Sequence, residues 1–147
     1  MTKLTNEKIS QFKAAIYLQN IKFHCVASSA NLWAFILDSG TGYSSQVCDL
    51  SSNFLRKSWI MEQWKKNYHI SSIAGANNDK SLVVMSQGTN YTQQSYKITR
   101  SFPYTWINKK WRDGFHVTSM ATAGSRWCVV MSTNSCYSDQ VPILRHF

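Results

Sequence analysis

A chain of 147 residues can build one domain with a sizeable core. With 44% apolar and 14% aromatic residues it falls outside the disordered and low-complexity classes. Sixteen Lys and Arg against seven Asp and Glu leave a formal charge of +9, which favours an acidic partner such as nucleic acid, a phosphoprotein or an acidic protein segment. The four cysteines, Cys25, Cys48, Cys128 and Cys136, show no Cys-x-x-Cys pair and no zinc-ligand spacing. They read as thiols in a reducing compartment. The polar N-terminus has no secretory h-region, and the longest apolar run, Leu32 to Leu37, is far short of the roughly 20 residues of a membrane span. The expectation is a soluble protein inside the cell, nuclear or cytoplasmic, with no membrane partner.

Residues 1–20 form an N-terminal segment in which Lys3 to Gln19 could be helical, with Ile9, Phe12, Ile16 and Tyr17 broadly on one side. Self-similarity dominates from residue 21 onward. Trp64-Lys-Lys-Asn-Tyr68-His69-Ile70-Ser-Ser72-Ile-Ala74 matches Trp111-Arg-Asp-Gly-Phe115-His116-Val117-Thr-Ser119-Met-Ala121 at an offset of 111 − 64 = 47. The register continues through Val83-Val84-Met85-Ser86 and Val129-Val130-Met131-Ser132, then through Tyr91-Thr-Gln-Gln94 and Tyr137-Ser-Asp-Gln140. A weaker upstream copy aligns His24 with His69 and His116, and Tyr43-Ser-Ser-Gln46 with Tyr91-Thr-Gln-Gln94. The units run from about 21 to 64, 65 to 111 and 112 to 141, and 142–147 is a divergent tail.

Within a unit, Phe115, Val117 and Ser119 alternate with His116 and Thr118, the period of a half-buried strand. A Gly/Asn/Asp/Ser turn follows, as at Gly75 to Asp79. Next come a buried strand over Leu82–Met85 or Trp127–Met131, a third from Tyr91 to Thr99, and a fourth from Thr105 to Trp111 behind Pro103. The fold class is therefore all-β. Tandem four-stranded antiparallel repeats resembling β-propeller blades form an incomplete array, with room for a short N-terminal helix. Because propellers have about 4–8 blades, the array is expected to be a fragment or a truncated product. Trp33 and Trp127 take one place in their units and Ser81 takes it in the middle copy. These rings, with Trp64, Tyr68, Trp111 and Phe115, are assigned to packing unit on unit.

Catalytic chemistry finds little support. The His24, His69 and His116 series would meet only in a narrow central channel, so neither a metal nor a cofactor is expected. The carboxylates include no close pair, and no Gly-x-Ser-x-Gly elbow is present. The cations are densest at Arg56-Lys57, Lys65-Lys66 and Lys109-Lys110 with Arg112. Lys65, Lys66, Lys109, Lys110 and Arg112 recur beside the Trp-x-x-x-x-Trp strings and form a candidate binding rim. It would serve a protein partner, acidic or phosphorylated, with nucleic acid or chromatin as the alternative. A truncated product without independent function is the third reading.

Trp59-Ile-Met-Glu-Gln-Trp64, Ser81-Leu-Val-Val-Met-Ser86, Tyr91-Thr-Gln-Gln-Ser-Tyr-Lys97, Trp106-Ile-Asn-Lys-Lys-Trp-Arg112 and Met120-Ala-Thr-Ala-Gly-Ser-Arg-Trp127 carry a family resemblance. From about Phe23 to Val141 the chain resembles the C-terminal extension of plant casein-kinase-I-like Ser/Thr protein kinases. The resemblance implies a kinase domain on the N-terminal side and full proteins similar to nuclear kinases that act on histones and light-signalling components. The sequence itself has no Gly-x-Gly-x-x-Gly loop, Val-Ala-Ile-Lys, His-Arg-Asp or Asp-Phe-Gly. No catalytic residue is carried over, and a non-catalytic docking module is the expectation.

Overall fold

The computed structural model describes Gln11, residues 21–29 and residues 32–141. The tail at 142–147 lies outside these residues, as does the expected helix over Lys3–Gln19 except for Gln11. A hairpin of β1 (Lys22–Ser29) and β2 (Leu32–Asp38) comes first. It is followed by β3 (Ser45–Ser51), α1 (Lys57–Lys65), β4 (His69–Gly75) and β5 (Ser81–Gln87). The order then recurs as β6 (Gln94–Thr99), α2 (Tyr104–Arg112), β7 (His116–Ala123) and β8 (Arg126–Ser132). The protein is mostly β, in three small antiparallel sheets with the orders β1-β2, β3-β5-β4 and β6-β8-β7; we call them the first, middle and last sheets.

Two expectations are corrected. The sheets have two or three strands each, not four, and the segment expected as a fourth strand from Thr105 to Trp111 is helix α2. Ile107, like Ile60 in α1, is buried while its helical neighbours face outward, the pattern of a short helix with one apolar stripe. Pro103, taken as the break before a strand, sits at the helix start, where its missing N–H costs nothing. Both helices end in the same turn. Asn67 and Gly114 adopt positive φ (62° and 81°). Tyr68 N–H bonds Gln63 O and Asn67 N–H bonds Trp64 O, as Phe115 N–H bonds Lys110 O and Gly114 N–H bonds Trp111 O. These are Schellman closures that satisfy the last helical carbonyls. The sheets consequently span 45–87 and 94–132, so Trp64 and Trp111 lie inside units and not at their edges.

The strand registers correct the alignment of the upstream copy. β4 carries a bulge between Ile70 and Ser72, β7 between Val117 and Ser119, and β1 between Phe23 and Cys25. Phe23 is therefore the counterpart of Ile70 and Val117, and His24 falls with Ser71 and Thr118. Lys22, not His24, stands where His69 and His116 stand. The register places Trp33 opposite Ser28, Ser81 opposite Gly75 and Trp127 opposite Thr122, one corresponding pair per sheet.

Alternation along the central strands decides the packing. Leu82 and Val84 leave one face of β5 and join Phe23, Val26, Cys48 and Ala74 in a core between the first and middle sheets, with Trp33, Phe35 and Leu37 against it. Val83 and Met85 leave the other face. They join Ile60, Ile70 and Ile73 with Cys128 and Val130 of β8 between the middle and last sheets. Each such aliphatic side chain contributes about 1.5–3 kcal/mol on leaving water. The far face of β8, Val129 and Met131, is covered by Ile107, Phe115 and neighbouring aromatics. The sheets thus stack face to face, with β4 lying between β1 and β7. Gly75 allows the closest approach: a Cβ there would stand 2.1 Å from Thr122 O.

Candidate functional site

A glutamine locks each step of the stack. Gln46, at the start of β3, accepts from Phe23 N–H (2.7 Å) and donates to Phe23 O (2.9 Å) in β1. Gln94, at the start of β6, does the same to Ile70 in β4 (2.6 and 2.9 Å), and Gln140 to Val117 in β7 (2.7 and 2.8 Å). A side-chain amide thus pairs with the outward N–H and C=O of a strand edge, groups that would be costly to leave bare. Gln46 and Gln94 also donate to Ser86 and Ser132 Oγ. The recurring Tyr-x-x-Gln strings were visible in the sequence, but the carboxamide's target, a backbone more than 20 residues away, was not.

The aromatic residues assigned to unit packing divide among several tasks. Trp64 Nε1–H donates to Gln94 Oε1 (3.1 Å) and Trp111 Nε1–H to Gln140 Oε1 (3.4 Å), so each indole braces the glutamine that clamps the strand after its own helix. Tyr68 hydrogen-bonds Ser45 Oγ (2.9 Å). Trp33 packs into the core between the first and middle sheets. Trp127 packs edge-on against Phe102 of its own unit, with centroids 5.2 Å apart.

The cations expected to form a binding rim lie at the C-terminal ends of α1 and α2, where positive charge favours the negative end of the helix dipole. Its members are not equivalent. Lys66 pairs with Glu62 one turn earlier (2.6 Å), and that hydrogen bond holds the Glu62 carboxyl below its usual range. Lys110 lays its Nζ 4.3 Å from the centroid of Phe115, linking the two positions that a Schellman turn brings together. Lys65, Lys109 and Arg112 are exposed and have no ion-pair partner among the described residues. Lys65 and Arg112 occupy the same place in their units, directly after Trp64 and Trp111.

A second cluster gathers where the Tyr-x-x-Gln strings begin. Burial, then the neighbouring Tyr43, Tyr137 and Cys136, push the Tyr91 phenol up to about 12. Burial and then Tyr137 raise Tyr43. Three corresponding tyrosines from successive units therefore sit within electrostatic range of one another. Tyr91 meets the His69 ring edge-on at 6.2 Å, and Thr89 Oγ1 lies 3.1 Å from His69 Nδ1. His69 is buried, which lowers its affinity for a proton. His24 is exposed and 3.8 Å from Asp38, and His116 is half-buried. Among the described residues no group of three or more His, Cys, Asp or Glu is placed to hold a metal ion. Burial pushes the Cys128 thiol up to about 12, which disfavours the thiolate at neutral pH.

Stacked, glutamine-locked sheets with short helices between the strands define a mostly β domain. The chain belongs to the family described as "Domain of unknown function (DUF7477)", whose model matches residues 2–146. It is 71% identical over 105 residues to "Casein kinase 1-like protein HD16" of Oryza sativa subsp. japonica, a match covering 71% of this chain and 15% of that protein. The resemblance to plant casein-kinase-I-like proteins is thereby shown, and the chain corresponds to a small portion of that relative's length.

Proposed function

We propose that this domain is a non-catalytic docking module for an acidic or phosphorylated protein partner, and that it presents substrates or regulators to a casein-kinase-I-like enzyme. The observation that supports this most directly is the exposed trio Lys65, Lys109 and Arg112, left without ion-pair partners among the described residues at the ends of two corresponding helices. The stacked sheets favour reading the domain as part of a propeller-like array, a scaffold suited to broad contacts. Free cysteines suit a reducing interior, cytoplasmic or nuclear. Nucleic acid is the weaker reading, because base stacking needs exposed rings and Trp64, Trp111 and Phe115 beside the rim are half-buried or buried.

The test is binding of a fluorescent, doubly phosphorylated acidic peptide, with duplex DNA of equal charge as comparator. Combined Lys65→Glu, Lys109→Glu and Arg112→Glu should weaken peptide binding by about tenfold or more, while the thermal midpoint falls only by the few degrees that reversing charges at two helix ends costs and the circular dichroism is kept. Undiminished peptide binding by that variant, or tighter binding to DNA than to peptide, would defeat the proposal.

A further inference from the structure

The first sheet exposes the outer half of the contact that the interior of the stack buries, and the last sheet, whose Val129 and Met131 are already covered by Ile107 and Phe115, leaves Met120 exposed. On the middle sheet, Ser72, Ala74, Leu82 and Val84 face the first sheet and all are buried; Ser72 Oγ accepts from Val26 N–H of β1 (3.1 Å). Their counterparts on the first sheet, by register, are Cys25, Ala27, Ala34 and Ile36, all exposed, Ile36 to 59%. At the other end, Val26 (8%) and Ile73 (4%) are buried against the following sheet, whereas their counterpart Met120 is 51% exposed.

Gln140 indicates what belongs at that end. Gln46 and Gln94 each open an outer strand that pairs with the central strand of the following sheet, β5 or β8. Gln140 clamps Val117 in the same way, so it stands where the outer strand of a fourth sheet begins. β5 and β8 are flanked on both sides, but among the described residues β2 is paired only with β1. Among the described residues Ile36 and Met120 are exposed, so the outer faces of the first and last sheets do not cover each other. We propose that a second copy of this chain docks end to end, the Ile36 face of its first sheet covering the Met120 face of the last sheet beside Gln140.

Sedimentation of the full chain at 1–100 μM should reveal association, which Ile36→Asp or Met120→Asp alone weakens at least tenfold. Both positions are more than half exposed, so each variant should keep the wild-type circular dichroism and melt. The decisive sample is an equimolar mixture of the two variants. It retains one unaltered Ile36–Met120 contact and should associate where each variant alone does not. Should one variant misfold, Ala34→Asp replaces Ile36→Asp and Met120→Lys replaces Met120→Asp. A monomer throughout the range, association unaffected by both substitutions, or a mixture no better than its components would overturn the proposal.

Discussion

β4 and β7 have similar strings, His69-Ile-Ser-Ser-Ile-Ala-Gly75 and His116-Val-Thr-Ser-Met-Ala-Thr122, and each carries a bulge at the same place. Their surroundings differ. β4 lies between two sheets and is buried along most of its length, while β7 has a sheet on one side only. Local sequence thus sets the strand and its bulge, and the neighbouring sheet sets what each side chain is worth. Substitutions at corresponding positions should therefore have unequal costs.

The largest inequality belongs to Gly75 and Thr122. A side chain at Gly75 would meet Thr122 O at 2.1 Å and Thr122 C at 2.8 Å, both rigid main chain. Gly75→Val must push the middle and last sheets apart and open the core around Ile73 and Cys128. We expect a loss of about 3–5 kcal/mol. Thr122→Val, at the exposed counterpart, should change stability by less than about 0.5 kcal/mol. Urea melts of dilute protein compare the two, and equal costs would mean that the close approach is not maintained in solution.

The glutamine clamps come next. Gln94 serves Ile70 N–H, Ile70 O, Ser132 Oγ and Trp64 Nε1–H, at 2.6–3.1 Å. Gln140 serves Val117 N–H and O closely but Trp111 only at 3.4 Å. Gln94→Leu strands more groups between sheets and should cost about 2–3 kcal/mol, against about 1 kcal/mol for Gln140→Leu, where water can reach the freed groups. Hydrogen exchange at the Ile70 and Val117 amides reads the same difference residue by residue.

How much of this was legible in the sequence follows from the range of each interaction. The strands β4, β5, β7 and β8 were readable because alternation and apolar runs are local, and so were the matching positions of Trp33, Ser81 and Trp127. The helices are less legible although their stops, Asn67 and Gly114, are local, since Pro103 suits the break before a strand as well as the start of a helix. The upstream register differs by two from the one that matching His24 to His69 gives, because the bulge that fixes it shows only in hydrogen-bonded pairs. Among the rim cations, sequence could not separate Lys66 and Lys110, held by Glu62 and Phe115, from Lys65, Lys109 and Arg112. The glutamine clamps span more than 20 residues, so spacing alone pointed to recurrence without revealing the target.

The last contrast is in pH dependence, whose acid limb belongs to the middle unit. His69 is buried beside Tyr91 and Thr89, and burial lowers its pKa from the ordinary value near 6.5. Below about pH 6.5 the unfolded chain takes up a proton at His69 that the folded chain resists. The unfolded state then binds more protons, and stability falls with acidification until the depressed folded pKa is passed. His69→Gln should remove this component of the acid slope. Burial raises Tyr91 and Cys128 to about 12, so the opposite limb falls from about pH 9 to 12, as the unfolded chain loses protons that the folded chain keeps. Cys128→Ala should flatten the lower part of that limb, where the ordinary thiol titrates, and Tyr91→Phe the upper part. An acid slope that survives His69→Gln unchanged would place the sensitive group elsewhere and remove His69 from the account of why the middle unit differs from the last.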